Sequence, residues 1–215
     1  MFTLRGVFLS VVLTVFNVGF TQAAFVDRGN TVLDTDGNFL WLDLNMTSGM
    51  SYEDAGATFS SEGWSYATEA QFKAMVDAFF SPRYVGNTLG NMTTSDVDLV
   101  NNARDFQSMF GLSGAQALYA SSGADVIPQY MTYSYGLYED STSTLRYGGA
   151  YLQNSTELTG IFKDWSADAS RYRTGSNQFF STFLVKSVSV PEPTGLALVG
   201  LGLAGLGFAR GKKAS

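Results

Sequence analysis

Sixteen consecutive residues from Thr194 to Ala209 carry no charge, and with the apolar run Val7 to Val18 they frame the chain, so only the stretch between them is free to build a folded core. That middle stretch, about 165 residues, buries a sizeable core and reads as one domain. The chain contains no histidine and no cysteine. Ser-His-Asp and Cys-His catalysis, His-ligated zinc, thiolate metal sites and disulfides are therefore excluded. Any general acid or base is Asp, Glu, Lys or Tyr, and any metal would be held by oxygen, which favours calcium or magnesium.

The two ends carry address signals. Residues 1–23 open with Arg5, continue through the apolar run and reach Thr21-Gln22-Ala23. Small residues three and one before a cut predict a signal peptide removed after Ala23, with signal peptidase and the secretion translocon as partners. At the other end Pro191-Glu192-Pro193 precedes the charge-free run, and Arg210, Lys212 and Lys213 follow it. As a helix the run is about 24 Å long against about 30 Å of hydrocarbon, a short transmembrane helix that spans only marginally. The basic end stays on the cytoplasmic side, leaving the domain outside.

Between Ala24 and Pro193 there are nine basic and nineteen acidic residues, a net charge of −10. A partner with a phosphate backbone needs a basic face, so nucleic acid is not expected.

Inside the domain, residues 24–189, Asp34-Thr35-Asp36-Gly37-Asn38 between apolar runs predicts a hairpin turn. The same Asp-x-Asp-Gly opens calcium loops, but the position that would supply the late glutamate is Asn45, so calcium is the lesser reading and no cofactor or metal is expected. Thr68 with Gln71 forms a capping box ahead of a stripe of Phe72, Met75, Val76, Phe79 and Phe80, with Ser81-Pro82 as its stop. A second helix is expected from Asp96 to Phe110, with Leu99, Ala103, Phe106 and Phe110 on one face and Gly111 ending it. Beyond it, Val126 to Tyr138, Thr144 to Leu152 and Gln178 to Val190 read as strands. The fold class is α+β, with the Phe179 to Val185 run returning beside the first hairpin.

The C-terminal triad Pro191-Glu192-Pro193, the Gly/Leu-rich span and the Arg/Lys cluster resemble the PEP-CTERM sorting signal of exported proteins from Gram-negative bacteria that make extracellular polysaccharide. The resemblance implies recognition and processing by the membrane protein exosortase. It implies passage through the inner membrane and a final place at the cell surface or in the extracellular matrix. Pro191, Glu192, Pro193, Arg210, Lys212 and Lys213 are the sorting residues it points to, in a tail spanning 190–215.

The segments Phe39-Leu40-Trp41-Leu42-Asp43, Ser51-Tyr52-Glu53-Asp54-Ala55 and Gly63-Trp64-Ser65-Tyr66-Ala67-Thr68-Glu69 are similar to the lectin-like C-terminal domains of bacterial collagen-like adhesins. Ser65 and Ala67 stand where that pattern has Arg and Pro. The resemblance implies a C-type-lectin-like frame with a short helix after the Trp-x-Asp strand.

Trp41, Trp64, Trp165, Tyr130, Tyr133, Tyr135 and Tyr138 are candidates for a sugar-stacking surface, their alternative role being core. No residue has a catalytic motif around it. The expectation is a non-enzymatic surface or matrix protein that binds extracellular polysaccharide. The alternatives are a glycoside hydrolase using two carboxylates about 5 to 9 Å apart, or a structural or ice-binding exported protein, a reading that regular Thr-rich repeats would favour and that finds none in the sequence.

Overall fold

The computed structural model describes residues 25–80, 91–122, 125–153, 158–162 and 169–188. The signal peptide, the sorting tail and Trp165 lie outside these residues. Asp34 closes the first turn: its Oδ1 accepts from the N–H groups of Asp36 (3.0 Å) and Gly37 (2.7 Å), and Asn38 takes the left-handed φ of 55° that this residue type tolerates. The turn joins β2 (Thr31–Asp34) to β3 (Phe39–Leu42), and β1 (Phe25–Asp27) adds to β2. The Asp-x-Asp-Gly segment is thus the hairpin turn.

Three helices follow. Ser51 caps α1 (Tyr52–Ser60), its Oγ accepting from the Asp54 N–H. The predicted capping box starts α2 (Glu69–Phe80): the Gln71 N–H donates to Thr68 Oγ1 at 3.2 Å and the Thr68 N–H to Gln71 Oε1 at 2.9 Å. Asp96 caps α3 (Val97–Phe110) by accepting from the N–H groups of Asp98 and Leu99, and Gly111 ends it with φ 74°.

The second sheet comprises β5 (Asn91–Thr94), β6 (Gly114–Ser122), β7 (Asp125–Glu139), β8 (Leu145–Gln153), β9 (Leu158–Phe162) and β10 (Ser181–Thr182). Its order is β10-β7-β8-β9-β5, antiparallel except for the parallel β10–β7 pair, and β6 shares one edge of β7 with β10. The first sheet is completed by β4 (Ser65–Tyr66) and β11 (Leu184–Ser187) in the antiparallel order β1-β2-β3-β11-β4. The chain is one α+β domain. β11 does return beside the first hairpin. The run expected to be a single strand from Gln178 is instead two short ones, because Phe183 crosses from one sheet to the other. Its ring packs on Trp41 (5.8 Å between centroids) and Phe72 (5.2 Å), and lies where a side chain on Gly136 would stand.

One core joins these parts. The stripes of α2 and α3 (Phe72, Phe80, Phe106, Phe110) meet Val32 and Trp41 of the first sheet and Tyr138, Ala150 and Ile161 of the second, all fully buried. Trp41 stands edge-on to Phe110 at 6.1 Å, a favoured aromatic geometry. Trp64 is buried in a smaller cluster with Leu42, Phe59 and Leu184. Among the described residues no helix is long and apolar enough to cross a membrane.

Candidate functional site

Alternation along β7 corrects the expected tyrosine surface. Successive side chains of a strand point to opposite faces. Tyr138 lies on the helix side, stacked on Phe72 at 4.3 Å, and Thr132 on that same side donates to Gln107 of α3. Tyr130 shares their parity and is 58% exposed, whereas Tyr133 and Tyr135 face the other way. The four tyrosines therefore divide between two faces, and Trp41 and Trp64 are core. A count of two along the strand was the signal that separates them.

The outer face instead carries a strip assembled from β7, β8 and the segment before β10. Tyr133 and Phe179 are 5.2 Å apart, Tyr135 and Tyr147 5.8 Å, Tyr147 and Phe180 4.6 Å, and Tyr172 and Phe180 4.8 Å. Burial pushes the Tyr147 phenol up to about 12 and the Tyr135 phenol higher still, so both are neutral hydroxyls at ordinary pH.

At the Glu139 end the strip opens into a cleft of about 460 Å³ lined by Tyr52, Tyr66, Thr68, Glu69, Glu139 and Asp140 among others. Its position follows from a parallel bridge between Thr68 and Glu139, which sets the start of α2 beside the end of β7. Tyr66 stacks on Tyr52 at 4.0 Å with 10° between the planes, and its hydroxyl donates to the Tyr52 carbonyl at 3.0 Å. Gly56 makes room: a side chain there would meet the Tyr66 hydroxyl at 2.0 Å. The Tyr52 hydroxyl is buried with no hydrogen-bond partner among the described residues, and burial, with the Glu139 charge next, drives its phenol far above the ordinary value.

Each acid of the cleft has its own cation. Glu69 meets Lys73 at 2.6 Å, Glu139 meets Arg173 at 2.8 Å, and Asp140 meets Arg146 at 2.9 Å. Glu69 also accepts from the Ser141 N–H at 2.9 Å; the Lys73 hydrogen bond, against some burial, lowers its pKa. Burial opposes ionisation of Asp140, but bonds from Thr142, Arg146 and Thr144 outweigh it and hold the carboxyl far below the usual range. A general acid at neutral pH needs the opposite shift. Among the described residues no group of three or more acidic side chains is placed to hold a metal ion.

Sequence reasoning singled out none of these acids as a site residue. Glu69 and Glu139 come together through the Thr68–Glu139 bridge, and Arg173 is placed by its carbonyl, which accepts from the Glu53 N–H at 3.0 Å; no local pattern encodes these contacts.

Residues 189–213 match the PEP-CTERM protein-sorting motif. These residues hold the Pro-Glu-Pro triad, the apolar run and the basic end. Comparison with curated proteins and with solved structures gave no match.

Proposed function

From the PEP-CTERM motif, which marks this chain as an exported protein processed at the membrane by exosortase, we propose that its domain is a non-enzymatic binder of uncharged extracellular polysaccharide. It acts at the surface or in the matrix of a Gram-negative cell. The observation that carries this reading is the pairing of every acid in the Tyr52–Tyr66 cleft with a cation. Paired charges cancel, so the cleft presents an aromatic wall with a neutral polar rim, which suits a ring bearing hydroxyl groups. The same pairing argues against glycoside hydrolysis, which uses two carboxyl groups free to meet the sugar.

A lectin-like frame belongs to the same proposal. It is supported by Trp41 and Leu42 in β3 with Asp43 directly after them, the α1 helix that follows in the chain and the return of β11 to the N-terminal hairpin. The domain's net charge of −9 argues further against acidic polymers.

The test is binding and turnover on a panel of neutral and uronate-bearing polysaccharides. The expected result is retention of neutral polymer, weakened by Tyr66→Ala, with no new reducing ends. Release of reducing ends that Glu69→Gln or Glu139→Gln abolishes would overturn the reading in favour of a hydrolase.

A further inference from the structure

At the opposite end of the aromatic strip, we infer a second polysaccharide subsite, formed by Tyr133, Tyr151, Met131 and the three amides Gln116, Gln129 and Gln153. The inference rests on the glycan-binding reading above and adds a site and a ligand size to it. All six side chains come from β6, β7 and β8 and are partly exposed. Tyr133 is register partner to Tyr151, and Met131 to both Gln116 and Gln153, so strand alternation sets them on one face.

The rings are held, and so are the amides. Tyr151 lies over Gly160, where a side chain would meet its ring at 2.0 Å, and its centroid is 6.5 Å from that of Tyr133. The Tyr133 hydroxyl donates to Gln116 Oε1 at 3.3 Å, and Gln153 Nε2 donates to Gln129 Oε1 at 2.5 Å. Each amide carries two donors and an acceptor with two lone pairs, so these bonds leave hydrogen-bonding capacity in every Gln. Two rings bordered by fixed amide groups meet a sugar's apolar face and its hydroxyl edge together.

Charge selects the ligand. The described face positions around the rings, Gly114 and Gln116 on β6, Gln129, Met131 and Tyr133 on β7, Tyr151 and Gln153 on β8, and Leu158 and Gly160 on β9, include no carboxylate and no basic side chain. A uronate or a sulfate would find no counter-ion there, whereas a neutral sugar needs none.

Tyr133 and Glu139 lie six residues apart on β7, about 20 Å along the strand. One sugar cannot touch both the cleft and this patch, but a chain of linked sugars can. Two weak subsites on one face then act together, and the polymer gains from effective concentration what a short oligomer cannot.

The experiment compares a neutral polysaccharide with its own short oligomer, using the full chain in a sugar-free detergent and a calorimeter or a surface sensor. The parent is expected to hold the polymer more than about tenfold tighter than the oligomer. Tyr133→Ala with Tyr151→Ala should erase that advantage while the oligomer still binds the cleft. A second variant, Gln129→Glu with Gln153→Glu, sets two carboxylates against each other without removing a ring, and it should erase the advantage as well; melting curves confirm that each variant folds. A polymer advantage that survives both variants would overturn the second subsite and leave the cleft standing. A parent that binds neither ligand would instead overturn the proposed function itself.

Discussion

Asp43 shows how one residue fixes a junction at a cost. It ends β3, caps the short 3-10 turn Leu44–Thr47 and is buried, with its carboxylate against Gly111, where a side chain would meet Oδ1 at 1.8 Å. Burial raises its pKa, with the Asp27 charge adding to the shift and the N–H groups of Asn45 and Leu44 opposing it. A raised folded-state pKa means that the fold favours the protonated acid. That stability is fully present below the ordinary value of 3.8 and is lost as pH rises through the folded value. Asp43→Asn keeps a capping oxygen and has no charge to bury. The variant should melt above the parent at pH 7, with the gap closing below pH 3.8 in paired thermal melts. Tyr52→Phe makes a related prediction: it removes a buried hydroxyl that has no partner among the described residues, so stability should rise by up to about 1 kcal/mol in urea unfolding.

Among the elements, β10 and β11 join what the rest of the chain leaves separate. Ser181 and Thr182 pair with β7 in one sheet; two residues later Leu184 to Ser187 pair with β3 and β4 in the other. Phe183 between them is fully buried at the point where both sheets and α2 meet, so Phe183→Ala should cost about 3 to 5 kcal/mol. Unfolding should stay a single transition, read equally by tryptophan emission and far-UV dichroism; two separate transitions would mean that the sheets are not joined there. Both long helices were legible in the sequence because a capping residue, a 3.6-residue stripe and a stop signal agreed at each. β6 was not, since Ala115, Ala117 and Ala120 give no contrast between faces, and β9 is only five residues long. The tyrosines were legible as residues but not as a surface. Their neighbours come from β8 and from the segment before β10, and that register is set by tertiary packing.

On the scale of the whole molecule, sorting is written in residues 189–213, which lie outside the described residues. The sorting motif begins at residue 189, directly after β11 and the Val188 N–H bond to the Asn38 carbonyl. Replacing Pro191-Glu192-Pro193 with three alanines should leave the domain folded and exported but make the unprocessed form accumulate in the inner membrane. Mass spectrometry of the surface form of the parent checks the premise. A C-terminus still ending in Ala214-Ser215 would show that the tail is a plain anchor.

The seating of β11 inside its sheet has a mechanical meaning as well. A cell-surface protein that grips a polymer is pulled, and the pull leaves through the residue next to the attachment point. On the proposed surface role, with the domain attached through the sorting tail, that pull would enter at Ser187, and β11 lies between β3 and β4, paired with β3 over Val185–Ser187 and with β4 over Leu184–Val185. Antiparallel ladder bonds run perpendicular to the strand, so a load along β11 strains several of them at once in shear instead of opening them one by one. A surface binder of the kind proposed, pulled through its tail, would meet that load with a strand held inside the sheet.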